Sequence, residues 1–598
     1  LIADHLELAG RSAEATNYLL QAGDRARGLY AHQEAIGSYR RALALLKEQG
    51  EHERAARTLM KLGLTYHTAF DFQQARQAYE EGFALWQRAG EIQEGVPPPP
   101  APHALRVVWQ TPPTTLDPTI PGDIYSLAVI DQLFSGLLEL TPEMDVVPEV
   151  AQSWEMVEGG RKYVFHLRDD VRWSDGTPVT AEDFEYAWKR VLDPATRSPV
   201  ASLLYDVKGA RAFHQGDASA PDSVGVRALD EVTLVVELEE PTGYFLHLLA
   251  HNATYPVPRH VVEAHGEAWT EPGNIVTNGP FRLESWQRGE SMVLARNPDY
   301  HGRFRGNVQW VELPFGERLA GLEMYEADSL DIFFIDDLSA PERDRAWQRH
   351  AGEYISAPSL QTSYVGFDVS RPPFDDPRVR RAFALAADKE TLVDVVLRGY
   401  AAPALGGFIP PGMPGHSAGI GLPYDPDQAR QLLAEAGYPD GDGFPVVEAL
   451  TGRGDLVLQS EYLQAQWREN LGVEITWETM EPGMFLDQLR REPSHVFLLG
   501  WSADYPDPDN FLRASPIRHD TRWQNETYDR LVEEARRVME QEERMKLYQQ
   551  ADRILVEEAV ILPLLHRRFH LLVKPWVSKF PTSAIKEWFW KDVIIEPH

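Results

Sequence analysis

The chain has 598 residues, too many for a single core, and its length alone sets about four domains as the expectation. Asp and Glu outnumber Lys and Arg by 91 to 58, for a net charge of -33. Such a surface repels a phosphate backbone, so nucleic acid is not an expected partner. There is no cysteine, which excludes disulfides, thiol catalysis, cysteine-based metal sites and a lipid-modified cysteine within this chain.

The first ninety or so residues have a helical pattern that repeats. Ala35, Tyr39 and Leu45 recur as Ala75, Tyr79 and Leu85. Small residues beside aromatics at helical spacing let antiparallel helices approach closely. The pattern resembles tetratricopeptide repeats with a lengthened period, and a plain helical hairpin bundle is the simpler alternative. No catalytic constellation falls here, so this part reads as a scaffold or a surface for a protein partner. The opening residues, Leu1-Ile2-Ala3-Asp4-His5, lack the basic start and apolar stretch of a signal peptide. A fragment or a processed product is therefore expected. No apolar run approaches the roughly 18 residues of a membrane span.

A proline-rich stretch, Glu94 to His103, follows. Proline linkers are stiff and extended, so this one is expected to hold the helices (1–93) away from the rest. Beyond it the texture changes. Tyr163, Phe165 and Leu167 alternate with Val164, His166 and Arg168. Val232, Leu234, Val236 and Leu238 alternate likewise, as half-buried strands do. Helices are interspersed, one entered at Asp376-Pro377 and one running from Asp427 to Ala436 before Gly437. Strands mixed with helices over this length imply a large α/β or α+β body of two or three lobes.

Val496 to Leu499 reads as a buried strand. It empties into Gly500-Trp501-Ser502-Ala503-Asp504-Tyr505-Pro506-Asp507-Pro508-Asp509-Asn510. Carboxylates walled by aromatics at a strand end make a receptor for an ammonium group. Calcium is a rival for Asp504, Asp507 and Asp509, although the prolines break the loop and the glycine and distal glutamate of a calcium-binding EF-hand are absent. Gly415-His416-Ser417-Ala418-Gly419 matches a nucleophile elbow, but both flanks are loop chemistry, so a glycine-rich surface loop is expected there. His566 and His570 share one strand face, which reads as a solvated face rather than a metal site.

Ala151-Gln152-Ser153-Trp154-Glu155 leads through Val164-Phe165-His166-Leu167-Arg168 to Trp173-Ser174-Asp175-Gly176-Thr177-Pro178-Val179-Thr180-Ala181-Glu182-Asp183-Phe184. This closely resembles the signature of family 5 solute-binding proteins of ABC importers. Asn274 to Phe281, Arg296 to Tyr300, Leu432 to Tyr438 and Leu572 to Val577 resemble its oligopeptide-binding branch. The likeness runs from Ala104 to His598.

The resemblance implies a periplasmic-binding-protein-like α/β (α+β) fold with an extra third lobe. Its two main lobes would close about a hinge on an extended peptide. Lobe I would comprise 104–134, 257–355 and 572–598, the extra lobe 135–256 and lobe II 356–571. No catalysis, cofactor or metal is implied. The acid that receives the peptide's α-ammonium matches Asp504, with Trp501, Ser502, Ala503 and Tyr505 around it. Asn278, Gly279 and Asp123 are further ligand-site candidates. Cations that meet a peptide carboxylate in the family are replaced here by Leu498 and, near a gap, Leu456. Other pocket positions fall at Pro482, Val200 and Pro121 or Gly122. The expected partners are a peptide and an ABC permease, at the periplasmic or extracellular face. A cytoplasmic peptide sensor using the same cleft is the alternative, and a Ser417 esterase a remote one.

Overall fold

The computed structural model describes residues 2–92, 103–121, 123–217, 220–316, 318–452, 454–480, 482–491, 494–586 and 588–598. Of the expected proline linker, all but His103 lies outside them. Helices α1 (Ile2–Leu8), α2 (Ser12–Gly28), α3 (His32–Glu48), α4 (His52–Thr68) and α5 (Phe72–Ile92) form the N-terminal part. The repeat seen in the sequence is a packing repeat. Ala35, Tyr39, Ala75 and Tyr79 are buried, and the Tyr39 and Tyr79 rings lie over Gly23 and Gly63. A Cβ at Gly23 or Gly63 would stand 2.5 or 2.7 Å from those rings, so only glycine permits this approach. Leu45 and Leu85 are half-buried.

The helices do not stand apart from the body, contrary to the expectation from the linker. The Tyr79 and Phe83 rings both lie 4.9 Å from Trp154. Arg27 pairs with Asp145 at 2.5 Å. His67 Nδ1 meets the Gly243 carbonyl at 3.1 Å and Nε2 the Tyr163 hydroxyl at 2.8 Å. Burial lowers the His67 pKa to about 4, so the ring is neutral. A carbonyl only accepts, so Nδ1 carries the proton and Nε2 accepts from Tyr163. The physical reason for docking is the apolar width of α4 and α5: a single helical pair leaves aromatics on its outer face, and Trp154 covers them.

Three main sheets make up the body. The first has strand order 103–106, 308–314, 291–296, 281–287, with the first pair parallel and the others antiparallel. A side sheet, wholly antiparallel, has the order 151–157, 162–167, 233–237, 226–230. The expected alternation holds at Tyr163, Phe165, Leu167, Leu234 and Val236, all buried. It fails at Val232, exposed in the turn before Thr233, and at Val235, which is also buried. The signature string places a capping box of Thr180 and Asp183 at helix Ala181–Leu192.

The largest sheet runs 332–334, 561–573, 354–367, 496–502, 447–451, 475–479, with 401–403 also paired to 561–573. Helix Asp455–Leu471 links 447–451 to its parallel neighbour 475–479. Helices Pro377–Leu385 and Pro426–Glu435 start at the N-caps Asp376 and Asp425. His566 and His570 lie on 561–573, between neighbours on both sides, and both are buried, which corrects the solvated face expected for them. Burial lowers their pKa values to about 3 and about 4. His570 is held by the Tyr354 hydroxyl and the Tyr400 carbonyl.

Strands 354–367 and 561–573 are the longest in the molecule. Their pairing breaks register between Pro358 and Thr362. The expected lobe limits at 355 and 571 fall inside these two strands.

Candidate functional site: the acidic loop and the faces that meet it

Strand Val496–Ser502 starts in the core and leaves it. Val496, Phe497 and Leu498 are buried, the next three residues are half-buried, and Ser502 is exposed. Leu498 packs in an apolar cluster with Val365, Phe383 and Trp467, so this position presents no charge to a ligand. Ala503 extends the edge, its N–H donating to the Leu360 carbonyl at 2.9 Å.

Asp504 follows, and Asn510 organises it. The Asn510 amide donates to Asp504 Oδ2 at 2.8 Å. Its oxygen accepts from the Asp504 N–H at 3.2 Å and from Trp501 Nε1 at 3.0 Å. Asn510 is wholly buried, so the loop is held in one shape. The other oxygen, Asp504 Oδ1, faces His251 Nε2 at 3.5 Å. His251 Nδ1 accepts the Ala253 N–H at 3.1 Å, so the ring hydrogen is on Nε2, the nitrogen that faces Asp504. His251 comes from the segment after the side sheet, on the opposite wall. The Asp504 side chain keeps 23% of its exposure, and among the described residues no arginine or lysine pairs with it.

The two following acids have a different fate. Asp507 is held by both arms of Arg544, at 2.7 and 2.8 Å. Asp509 meets Arg513 at 2.6 Å and accepts from Tyr505 at 2.8 Å and Tyr548 at 3.1 Å. Burial pushes the Asp507 carboxyl up in pKa, against the pull of Arg544. Burial opposes ionisation of Asp509 too, but Arg513 and Arg536 outweigh it and its pKa falls well below the usual range. Guanidinium groups thus take the place the calcium reading gave to an ion. Among the described residues no group of acids or histidines has metal-holding geometry.

The same network ties the side-sheet region to the large-sheet body. Asp206 is buried between Arg513, Arg536 and the Tyr244 hydroxyl. The Tyr244 ring stacks on Tyr505 at 4.6 Å and 12°. The helices touch this loop as well. Tyr30 donates to the Pro506 carbonyl at 2.8 Å, and the Phe70 ring lies 5.8 Å from the Arg544 guanidinium. Tyr30 and Phe70 are equivalent residues of the repeat, each in left-handed backbone at φ 56° and 57°.

The sequence candidates therefore divide. Trp501, Ser502, Ala503, Asp504 and Tyr505 share one strand end, with Tyr505 buried under Tyr244. Asp123 caps helix Ile124–Leu133 and accepts from Ser126 and Thr114. Asn278 holds the Ser135 peptide through both polar atoms of its side chain. Gly279 abuts the Leu133–Phe134 peptide so closely that a Cβ would stand 2.5 Å from it. Ser417 sits in a loop with its hydroxyl 3.4 Å from the Gly415 carbonyl, without the strand and helix an elbow needs. Sequence reasoning missed Asn510, His251, Asp206, Arg513 and Tyr30. The asparagine that ends the Asp-Pro run was the one signal available.

A model of bacterial extracellular solute-binding proteins, family 5, matches residues 145–521, and a tetratricopeptide-repeat model matches residues 27–88. The chain belongs to family 5 of the bacterial extracellular solute-binding proteins, with tetratricopeptide-like helices before the receptor body. It is 34% identical to the "Probable deoxycholate-binding periplasmic protein YgiS" of Escherichia coli, over 81% of this chain and 92% of that one. It is 33% identical to the periplasmic oligopeptide-binding protein OppA of the same organism, over 78% and 87%. The Escherichia coli murein tripeptide-binding protein MppA superposes with a TM-score of 0.77 at 29% identity, covering 83% of this chain and 99% of MppA. Against the unliganded open form of MppA the score is 0.62 at the same identity.

Proposed function

We propose that the protein binds peptides for an ABC importer, enclosing each between its lobes with the peptide's α-ammonium on Asp504. The supporting observation is the contrast within the acidic loop. Asp507 and Asp509 are neutralised by arginines, while Asp504 is held in place by Asn510 with one oxygen turned toward the opposite wall. A carboxylate fixed in a partly desolvated wall forms a stronger charge-assisted bond than a surface pair does. Oligopeptide and murein-peptide binding by relatives supports the ligand class. The apolar Leu498 fits a receptor that does not fix the ligand's far end, so ligands of several lengths are expected. The register break at Pro358–Thr362 is the proposed hinge. Periplasmic relatives support a place outside the cytoplasmic membrane.

Calorimetry with one peptide in free and N-acetylated form tests the anchor. The acetylated form should bind more weakly, and equal affinities would remove Asp504 from its role. Small-angle scattering should show a more compact particle when peptide is added to the opened protein. One observation favours a second reading, that of a peptide sensor: Tyr30 of the helices bonds Pro506, two residues beyond Asp504.

A further inference from the structure

The turns between α2 and α3 and between α4 and α5 face segments 412–416 and 539–549 of the large-sheet body across a groove of about 1120 Å³. Its apolar lining includes Leu29, Met413 and Met539, and Leu29 and Met539 are 71% and 49% exposed. Large apolar side chains left this open on both banks of one groove suit a surface that another molecule covers. Methionine is flexible and polarisable, which suits a surface that must fit side chains of varied shape. The charge is one-sided. Glu34, Asp71, Glu540 and Glu542 line the groove, and no Lys or Arg is among the described lining residues; Glu542 is paired with Lys546 at 2.6 Å, which leaves Glu34, Asp71 and Glu540 to set the sign of the rim. Asp71 and Glu540 cap helices, which fixes their carboxylates in place.

The two banks belong to different bodies. The helices are fastened to the side sheet through Trp154 and Tyr163, and to Asp145 just before it. The other bank is part of the large-sheet body. Tyr30–Pro506 and Phe70–Arg544 bridge the two banks, as do Asp206–Arg513 and the Tyr244–Tyr505 stack, so rotation about the proposed hinge would have to part these contacts and would change the groove's width.

We propose that this groove is a docking surface for a basic, apolar segment of a protein partner, and that it takes its binding shape when the lobes are together. An acidic rim about an apolar floor selects a segment with lysine or arginine flanking large aliphatic side chains. Because one bank moves with each side of the cleft, ligand and partner would strengthen one another's binding by the same factor. That coupling rests on the peptide reading above; the docking surface itself does not.

The test uses the full chain and calorimetry at fixed ionic strength. The probe is a short amphipathic helix of Lys and Leu, with a Glu/Leu helix as counterpart. The Lys/Leu probe should bind and the Glu/Leu probe should not. Leu29→Lys with Met539→Lys should weaken the probe about tenfold or more. Leu229→Lys with Val446→Lys adds the same charge at other exposed apolar sites and should leave binding unchanged. All four positions are exposed, so folding should be retained, and circular dichroism checks it. Equal weakening by both pairs would show diffuse attraction and overturn the proposal. So would light scattering that finds a dimer lost only in the Leu29/Met539 pair, because a second copy would then cover the groove. Peptide added to the receptor should tighten the probe. A peptide that binds without tightening the probe overturns the coupling. If no peptide binds at all, the failure belongs to the peptide reading, and the two variant pairs still decide the groove.

Discussion

The mouth and the base of the acidic loop carry the same side chain in opposite states. At the base, Asp507 and Asp509 are buried against Arg544 and Arg513 and hold the side-sheet region, the helices and the large-sheet body together. At the mouth, Asp504 is positioned by an uncharged asparagine, faces His251 with its other oxygen and stays partly exposed. An acid with a resident cation is structural, because its charge is already compensated. An acid held only by neutral donors is left to attract a charge from elsewhere. Asp552 is a third state: fully buried, with the Phe408 N–H at 2.8 Å and the Ile409 N–H acting on it, and among the described residues no cation against it.

The largest effect should come from breaking the base. Arg544→Met leaves Asp507 buried and unpaired, and urea unfolding should show a loss of about 3–5 kcal/mol. Adding Asp507→Leu should restore most of it, since the cost lies in the stranded charge and not in the missing bond.

The uncompensated acid predicts a pH dependence. Burial raises the Asp552 pKa from 3.8 to about 7. Its folded value lies above its unfolded one, so the stability it contributes is complete below the unfolded pKa and is lost as pH rises through about 7. The protein should unfold more easily at pH 8 than at pH 5. Asp552→Asn should flatten that slope in thermal melts recorded across the range; an unchanged slope would place the titrating group elsewhere.

At the mouth the effect should appear in binding and not in stability. Asp504→Asn keeps an acceptor for Asn510 and removes the charge. Peptide affinity should fall by about 1–3 kcal/mol, as expected for a hydrogen bond to a charged group, with the melting temperature little changed. A stability loss as large as that of Arg544→Met would erase the distinction between mouth and base.

The smallest effect tests the bridge from the helices. Tyr30→Phe removes the hydroxyl that donates to Pro506, worth about 1 kcal/mol. Scattering should then show a larger open fraction without peptide, and peptide affinity should fall by a few-fold. A variant with unaltered closure would mean the helices only ride on the body.

Much of this was legible in the chain. The period in Ala35 and Tyr39 against Ala75 and Tyr79 marked the repeat, because close helix packing demands small residues beside aromatics. The strand–turn–helix string through Trp173 and Asp183 marked the receptor body, since turn and cap chemistry act within a few residues. Asp504 was legible as a carboxylate at a strand end. The pairing of Asp507 with Arg544, of Asp206 with Arg513 and of Asp504 with His251 was not, because each joins residues far apart in sequence. The same limit hid the docking of the helices: proline content sets the stiffness of a linker but carries no information about apolar faces on either side of it. The sequence by itself determined the elements, the repeat and which loop holds the acids. The tertiary structure decided which acids are paired with arginines and which is held by an asparagine, because compensation of charge depends on distances in space that local sequence does not encode.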